Sequence, residues 1–251
     1  MPMAKALIII PTYNESQNMK ELIPVIFHQV ARNEFDLEFH ILVVDDNSAD
    51  GTGQVIEALA HDFPVYLLKR EKKLGLGTAY IAGFKWALER DYQYIYEMDA
   101  DWSHDPVYLL SFIHKMQEDN ASCVIGSRFY QWRVSVVNWD IKRLILSLVG
   151  HRYARFVLGQ MDIYDTTSGF KCFRREAIEA LALDNITSNG YIFQLEINYR
   201  LFRKKMRIAE IPIIFKDRVY GVSKLSAGVI YEGLWLPLRL KLLLMIHGNK
   251  F

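Results

Sequence analysis

The sequence predicts an α/β fold whose central sheet is mainly parallel. Short runs rich in Val, Ile and Tyr alternate with helical patterns through the first half of the chain, as expected where helices connect parallel strands. The 251 residues are 51 % hydrophobic and carry a net charge of only +1, which is typical of a globular protein. A chain of this length buries roughly 70 % of its unfolded surface and needs no disulfide bonds to fold.

Five apolar runs bounded by turn residues are predicted to be strands of this sheet. In chain order they are KALIIIP, FHILVVD, PVYLLK, YQYIYEMD and ASCVIG. Helical patterns lie between them, near residues 16–31, 51–61, 77–90 and 106–118. The fourth helix has a clear start signal, because Asp105 stands at the N-cap position and Pro106 at the first helical position.

The alternation stops after Arg128, and a basic amphipathic helix is predicted over residues 138–158. Four Lys or Arg residues are interspersed with its apolar side chains. The apolar residues that share one face are Ile141, Leu144, Ile145 and Leu148. Two interpretations of this helix remain open at the level of sequence. It docks on the protein's own core, or it lies at a membrane interface.

Residues 228–246 are more apolar still, and three interpretations remain open for them. The segment is long enough to be considered as a transmembrane helix, but four residues disfavour that interpretation: Glu232, Pro237, Arg239 and Lys241. Contact with a membrane surface or a membrane-anchored partner is the second interpretation. Burial in the protein's own core is the third.

The near-zero net charge conceals an asymmetry along the chain. Residues 1–127 contain 10 Lys or Arg against 19 Asp or Glu. Residues 128–175 contain nine against three, and residues 200–251 contain eleven against three. The basic regions favour anionic ligands, although solvated helix faces without a ligand are the alternative.

Cysteine usage and the N-terminus bear on the compartment. Cys123 and Cys172 lie in apolar or strand-like runs and are predicted to be buried thiols, which favours a reducing environment. The N-terminal apolar run is too short for a signal peptide and lacks a small-residue cleavage site. It is predicted to be the first buried strand instead.

Two carboxylates, Asp99 and Asp101, follow the fourth predicted strand. Side chains at positions i and i+2 of an extended segment point the same way, so both carboxylates can face one point. Hard cations such as Mg²⁺ or Mn²⁺ bind oxygen ligands, commonly one or two carboxylates together with phosphate oxygens. Ligands of parallel sheets bind beyond the carboxyl ends of the strands. The pattern therefore predicts a cation that carries a diphosphate, with a surface turn as the alternative.

Two further segments, PTYNE at 11–15 and VVDDNSADGT at 43–52, also end predicted strands. Tyr13 can pack on a flat base or ribose, and Glu15 can accept hydrogen bonds from ribose hydroxyls. Asp45 or Asp46 can accept from base N–H groups, so the pair of segments predicts a nucleoside site. The G-x-G of GLGTAY does not follow the first strand, which argues against a dinucleotide-binding dehydrogenase.

Eight segments in order across nearly the whole chain resemble one enzyme family. They are PTYNE, VVDDNSADGT, GLGTAY, MDADWSHDP, GSRF, DTTSGFKCF, GYIFQLE and DRVYGVSKLS. The family is that of the polyprenyl-phosphate (dolichol-phosphate) mannosyltransferase catalytic subunits, inverting glycosyltransferases of family two. The resemblance implies the GT-A fold, a Rossmann-like nucleotide-diphospho-sugar transferase fold with amphipathic interface helices. It also implies GDP-mannose as donor, a polyprenyl or dolichyl phosphate as acceptor, and Mg²⁺ or Mn²⁺ as cofactor.

The same resemblance implies roles for individual residues. Those that would hold guanosine are Pro11, Tyr13, Glu15, Val43 and Asp45. Those that would contact the rest of the donor are Asp99, Ala100 and Asp101, with Asp101 as the main metal ligand and a catalytic residue. Those that would meet the diphosphate or its developing charge during catalysis are Arg128, Arg218 and Lys224. Those that match the acceptor-phosphate positions are Arg143 and Ser147. Ser103 stands where some relatives have a metal-contacting Gln, and its side chain is shorter.

The resemblance also implies an organisation and a location. Residues 1–225 would form the catalytic domain, and residues 226–251 an apolar helix for membrane or partner contact. The chain resembles the short form of the family, which relies on small membrane-anchored partner subunits. It would act at the cytosolic face of a membrane, the endoplasmic reticulum in a eukaryote or the plasma membrane in a prokaryote, and would bind no nucleic acid. The QxxRW motif of polysaccharide synthases is absent from the sequence.

Two other functions remain open from the sequence. One is a polyprenyl-phosphate glucosyltransferase that uses UDP-glucose on the same scaffold, since the choice of base depends on contacts near Asp45. The other is a non-catalytic subunit that binds nucleotide sugars, which the D-x-D pair and the basic residues disfavour.

Overall fold

The computed structural model describes residues 3–159, 161–186, 188, 190–216, 235 and 237–243. The strands are β1 (Ala4–Thr12), β2 (Leu37–Asp45), β3 (Val65–Lys69), β4 (Tyr92–Glu97), β5 (Cys123–Ser127), β6 (Val136–Val137), β7 (Lys171–Arg174), β8 (Ile208–Pro212) and β9 (Phe215–Lys216). The helices are α1 (Ser16–Val30), α2 (Thr52–Leu59), α3 (Leu76–Leu88), α4 (Leu109–Glu118), α5 (Ile141–Val157), α6 (Arg175–Glu179) and α7 (Tyr191–Arg203). All five predicted strands and all four predicted helices of the first half are confirmed.

The main sheet has seven strands in the order β3-β2-β1-β4-β7-β5-β8. Strands β1 to β4 pair in parallel, and β8 is parallel to β5. Strand β7 is antiparallel to both neighbours, β4 and β5. Strands β6 and β9 form a separate two-stranded parallel sheet. The prediction of a mainly parallel α/β sheet is confirmed.

Strand β1 shows why the central runs of the sequence are continuously apolar. Its residues alternate between two cores, Leu7 and Ile9 on one face of the sheet and Ile8 and Ile10 on the other. A parallel strand covered by helices on both faces has no solvent side and so no polar alternation. The two cysteines lie one on each side, Cys123 in the first core and Cys172 in the second, and both thiols are buried as predicted.

Helix α4 begins as its sequence predicts, with one difference. The Asp105 carboxylate accepts a hydrogen bond from the Val107 backbone N–H at 3.1 Å, which is the N-cap interaction. Pro106 opens a single 3-10 turn, Pro106–Tyr108, before the α-helix proper begins at Leu109. The tighter turn satisfies the first N–H groups of the helix.

The predicted amphipathic helix is α5, and its apolar residues differ in exposure. Its N-cap is Asp140, whose carboxylate accepts from the Arg143 backbone N–H at 2.8 Å. Leu144 and Leu148 are half-buried, whereas Ile141 and Ile145 are 73 % and 57 % exposed. The four residues lie on one stripe of the helix, as their spacing predicts, and this stripe runs from the half-buried to the exposed side.

Part of the C-terminal apolar segment lies within the described residues. Residues 237–243 are helical, and Leu240 is buried against the first core, while Leu238 and Leu242 are exposed. Among the described residues, no helix combines the length and apolar character needed to cross a membrane. The division into domains at residues 225 and 226 falls outside them and stays a prediction.

Candidate active site

The polar residues singled out in the sequence come together at one edge of the main sheet. Thr12 ends β1 directly opposite Asp45, which ends β2. Strand β4 pairs in parallel with β1 and stops at Glu97, two residues before Asp99. The carboxyl ends of the three strands therefore meet at the same edge, where ligands of parallel sheets bind.

Asp45 and Asp46 have different hydrogen-bond partners at this edge. The buried Asp45 carboxylate accepts hydrogen bonds from the Thr12 hydroxyl at 3.1 Å and the Ser48 backbone N–H at 3.0 Å. The Asp46 carboxylate is committed to an ion pair with Arg70 and to the Leu74 backbone N–H. The Asp45 carboxylate also accepts from the Ser48 hydroxyl, so both carboxylates are hydrogen-bonded within the protein and a base contact by either stays a prediction.

The remaining nucleoside candidates are unequal in exposure. The Tyr13 ring is 43 % exposed, and the Lys73 ammonium lies 3.8 Å from its centroid. Pro11 and Glu15 are half-buried, and Glu15 accepts a hydrogen bond from the Asn18 amide. The Val43 side chain lies in the core, two residues before the end of β2. The predicted contact between Val43 and a nucleoside stays a prediction.

A tight loop over residues 99–104 arranges the two carboxylates. The Asp99 carboxylate accepts from the Tyr80 hydroxyl at 3.2 Å, and the Asp99 backbone N–H donates to His104 Nδ1 at 2.9 Å. Burial, followed by the nearby Asp99, raises the pKa of Tyr80, so its hydroxyl keeps the proton that it donates. Ala100 is buried beneath the loop, and the buried Asp101 carboxylate accepts from the Ser103 backbone N–H at 3.1 Å.

The residues of this loop fit a hard divalent cation. The Ser103 hydroxyl is buried and has no hydrogen-bond partner among the described residues. A buried hydroxyl left in that state is destabilising, and a ligand would satisfy it. Together with the carboxylates of Asp99 and Asp101, it supplies the oxygen ligands that Mg²⁺ and Mn²⁺ prefer. Within the same part of the chain no cluster of three or more His, Cys, Asp or Glu could hold a metal ion, so phosphate oxygens would have to complete the site.

Arg128 follows the carboxyl end of β5 and is held in a buried ion pair. Its guanidinium donates to both carboxylate oxygens of Asp165, each at 2.7 Å, and to the Thr167 hydroxyl at 3.0 Å. Burial alone would raise the pKa of Asp165, but the Arg128 charge outweighs it and holds that pKa well below its usual value. Asp165 thus fixes the place of Arg128. The predicted contact between Arg128 and a diphosphate stays a prediction.

The two acceptor-phosphate candidates lie on α5, close to Arg128. The Arg143 guanidinium stacks 4.0 Å above the Trp139 ring, and Arg128 lies 5.7 Å from the same ring centroid. The Ser147 hydroxyl is 3.3 Å from Nε2 of the buried His151. The structure therefore brings the basic residues of α5 and of β5 to a common aromatic side chain.

His151 decides the direction of the Ser147 hydroxyl. His151 Nδ1 lies 2.9 Å from the Thr166 hydroxyl and accepts from the Thr166 backbone N–H at 3.3 Å. Because that N–H can only donate, it favours Nδ1 as an acceptor. Burial lowers the pKa of His151 to about 4, against the opposing charge of Asp165, so the ring is neutral at pH 7. In the favoured tautomer Nε2 carries the proton and donates to the Ser147 oxygen, which leaves the Ser147 proton for another acceptor.

Two predicted residues, Arg218 and Lys224, lie outside the described residues. The sequence interpretation in turn missed several groups at the site: Tyr80, His104, His151, Asp165, Lys171 and Gln194. Asp165 and Lys171 belong to DTTSGFKCF and Gln194 to GYIFQLE, segments that carried the family resemblance but received no role. The signal available was a polar residue within a short apolar run, as Gln194 is in YIFQL at the start of α7.

The comparison with known proteins agrees with this geometry. A family model described as glycosyl transferase family 2 matches residues 7–182. The chain belongs to glycosyl transferase family 2. As a family 2 enzyme it is 40 % identical over 236 residues to a polyprenol monophosphomannose synthase of Mycolicibacterium smegmatis, covering 93 % of this chain and 86 % of that one. It is also 40 % identical over 232 residues to an undecaprenyl-phosphate mannosyltransferase of Micrococcus luteus, covering 91 % and 90 %.

Solved structures of low sequence identity confirm the GT-A fold of this family 2 chain. Glucosyl-3-phosphoglycerate synthase from Mycobacterium tuberculosis, solved with Mn²⁺, UDP and glucosyl-3-phosphoglycerate, superposes with a TM-score of 0.68 at 15 % identity. The match covers 96 % of this chain and 80 % of that one. The same enzyme solved with Mg²⁺ and UDP gives a TM-score of 0.68 at 15 % identity, with 96 % and 79 % covered.

Proposed function

We propose that this family 2 glycosyltransferase transfers mannose from GDP-mannose to a polyprenyl or dolichyl phosphate with inversion, in a reaction that depends on Mg²⁺ or Mn²⁺. One observation carries the proposal, the order of the polar groups along the sheet edge. Asp45 follows β2, the D-x-D loop follows β4, and Arg128 follows β5, with Arg143 beside it. A nucleoside, a diphosphate and an acceptor phosphate would lie in that same order. The names of the two relatives at 40 % identity support the acceptor and the sugar.

The acceptor makes a dedicated general base unnecessary. A phosphate monoester is already anionic near neutral pH, since its second pKa is about 6. It can attack the anomeric carbon directly, whereas a sugar hydroxyl would need to lose a proton. The protein's task is to hold two anions in line, with the reacting atoms about 3 Å apart. Arg143 and the Ser147 hydroxyl would bind the acceptor phosphate, and in-line attack converts an α-linked donor to a β-linked product.

The leaving nucleoside diphosphate needs positive charge. Asp101, Asp99 and Ser103 would hold the metal ion, which when bound supplies charge against the diphosphate. Arg218 and Lys224 are proposed to add positive charge there, as the family resemblance implies. Arg128, locked by Asp165, would contribute its field without having to be ordered during the reaction.

Helix α5 supports a location at the membrane surface. Its exposed apolar residues are Ile141, Ile145, Leu146, Val149 and Phe156, and its basic residues accompany them. A basic helix with an exposed apolar side suits the interface of a membrane with anionic lipids. We propose that the enzyme acts at the cytosolic face of the membrane that contains the polyprenyl phosphate, with small membrane-anchored subunits as its protein partners.

Transfer of radiolabelled sugar to a polyprenyl phosphate in detergent tests the proposal. GDP-mannose and UDP-glucose are offered in parallel, each with Mg²⁺ or with EDTA. The expected result is labelled lipid from GDP-mannose only, abolished by EDTA. UDP-glucose is the second candidate donor because solved structures of the same fold contain UDP. Labelled lipid from UDP-glucose would show that UDP-glucose is the donor and would leave the acceptor chemistry unchanged. Transfer from neither donor, also when the enzyme is membrane-bound, would contradict the proposal.

A further inference from the structure

A buried ion pair lies directly behind the D-x-D loop. Glu97 ends β4 and Lys171 begins β7, opposite each other in the sheet, and both side chains are completely buried. Their charged atoms are 3.6 Å apart, beyond a direct hydrogen bond, and neither Glu97 oxygen has a hydrogen-bond partner among the described residues. An ion pair in such a place is seldom needed for stability, because apolar residues of similar volume would do as well.

The pair determines the orientation of a third buried side chain, Gln194 of α7. The Lys171 ammonium is hydrogen-bonded to the Gln194 side-chain oxygen. An ammonium group only donates, so the oxygen of the amide must face Lys171 and its nitrogen must face away.

The side-chain nitrogen of Gln194 is a buried hydrogen-bond donor. Nε2 has no hydrogen-bond partner among the described residues, although Gln194 is only 2 % exposed. The amide nitrogen carries two N–H bonds, and at least one of them is available to a ligand.

Gly169 opens a small cradle at this nitrogen. A Cβ added at Gly169 would lie 3.5 Å from Gln194 Nε2, 3.6 Å from His104 Cε1 and 3.9 Å from Asp99 Oδ1. Glycine therefore leaves a space bounded by an amide donor on one side and by the first carboxylate of the D-x-D pair on another. Any larger residue would place its side chain in that space.

A hydroxyl group fits this cradle better than an anion does. The carboxylates of Asp99 and Glu97 would repel a phosphate oxygen, whereas a neutral hydroxyl can accept from Gln194 Nε2 and donate to Asp99 Oδ1. Two groups of the donor lie next to the diphosphate and carry hydroxyls, the ribose and the hexosyl group. The ribose belongs with the nucleoside at the ends of β1 and β2, so the hexosyl group is the one that would reach the cradle beside Asp99.

We propose that Gln194 Nε2 donates a hydrogen bond to one hydroxyl of the donor's hexosyl group, in the cradle that Gly169 leaves open. Lys171 and Glu97 are then positioning residues, which hold the amide with its nitrogen towards the sugar. The proposal rests on the nucleotide-sugar donor proposed above and adds to it a residue that recognises the sugar. Gln194 would contribute to donor binding without touching the nucleotide.

Calorimetric binding of GDP and of GDP-mannose, both with Mg²⁺, separates sugar contacts from nucleotide contacts. Gln194→Ala is expected to weaken GDP-mannose binding about tenfold, the effect of one hydrogen bond, and to leave GDP binding unchanged. Gly169→Ala should do the same by filling the cradle. Unchanged GDP binding also shows that each variant is folded.

Four monodeoxy donors, lacking the 2-, 3-, 4- or 6-hydroxyl of mannose, identify the contact. For one of them the wild-type protein should already bind about tenfold more weakly, and Gln194→Ala should cause no further loss. An equal loss for Gln194→Ala with all four deoxy donors, or an equal loss for GDP itself, would overturn the proposal. If the wild type binds GDP-mannose but transfers no mannose, only the proposed reaction fails, because this test measures binding alone. If the wild-type protein binds GDP-mannose no more tightly than it binds GDP, this inference fails.

Discussion

The hydroxyl of Ser147 contacts Nε2 of His151, and the Thr166 backbone N–H donates to the other ring nitrogen. In the tautomer that this N–H favours, Nε2 donates to Ser147 and the Ser147 proton is directed to another acceptor. Arg143 lies one helical turn before Ser147 on α5, so a donor and a positive charge face the same region.

Ser147→Ala should therefore weaken binding of the acceptor. The expected result is a KM for the polyprenyl phosphate raised about tenfold, since one hydrogen bond to a charged group is lost, with the KM for the donor unchanged. Steady-state kinetics with both substrates varied checks this. Ser122→Ala is the matched control, because Ser122 precedes β5 and lies at the end of that strand away from the site. An unchanged acceptor KM in Ser147→Ala would contradict the assignment of this residue.

His151 also makes the stability of the protein depend on pH. Its pKa is about 4 in the folded protein and about 6.5 when unfolded, so between these values the unfolded chain binds more protons. The contribution of the neutral ring to stability is therefore complete above about pH 6.5 and is lost as the pH falls towards 4.

Urea unfolding of the wild type and of His151→Gln at pH 7 and pH 4.5 measures this contribution. The stability advantage of the wild type over the variant should shrink by about 2–3 kcal/mol on acidification, because only the wild type has an imidazole to protonate. The variant is its own control for every other titrating group. A difference between the two proteins that stays constant with pH would show that His151 is not held neutral.

Single residues differ in how far the sequence reveals them. Asp99, Asp101 and Ser103 were found because a local pattern at a strand end places them. Asp165, His151 and Gln194 were given no role, because each acquires its task from a partner far away in sequence, such as Arg128 for Asp165.

At the scale of elements, α5 is distinguished by a row of apolar side chains on its exposed side. Ile141, Ile145 and Val149 repeat every four residues on its exposed side, and Phe156 continues the stripe at 75 % exposure. The side facing the protein contains the buried His151 and Ala154. The helix thus serves both interpretations that the sequence left open, one side docked on the protein and the other available to a membrane.

Replacing apolar residues of that stripe should weaken attachment to lipid. Val149→Ser is expected to lower the affinity for liposomes with anionic lipids about fivefold, because a buried valine contributes roughly 1–1.5 kcal/mol more than serine. Co-sedimentation with liposomes measures this. Val107→Ser is the matched control, since Val107 is exposed to a similar extent, 53 % against 59 %, on the turn before α4. Equal losses in the two variants would assign the membrane contact to another surface.

Local periodicity explains which elements the sequence predicted. The helices and strands up to β5 follow from patterns that each segment carries within itself. Strand β7 was not predicted, because it is short and its place between β4 and β5 is set by pairing with strands distant in sequence. The difference in exposure among the apolar residues of α5 likewise depends on what lies against the helix.

At the scale of the whole molecule, the order of the strands in the main sheet determines the order of the polar groups along the site. Strands β2, β1, β4 and β5 end at one edge, and the antiparallel β7 between β4 and β5 contributes Lys171 from behind. The class of fold could be predicted from strand–helix alternation. The order of the strands could not, because many orders are compatible with the same alternation.

The D-x-D edge is proposed to be the catalytic centre for transfer to a lipid phosphate, and Asp101 is its most direct test. The initial rate of mannosyl polyprenyl phosphate formation from GDP-mannose at saturating Mg²⁺ is compared between the wild type and Asp101→Asn. Asp119→Asn, beyond the end of α4, is the control for the same chemical change. We expect a loss of about 10²–10³-fold in Asp101→Asn, since the leaving diphosphate loses its counter-charge, and none in Asp119→Asn. A wild-type rate in Asp101→Asn would show that the catalytic centre lies elsewhere.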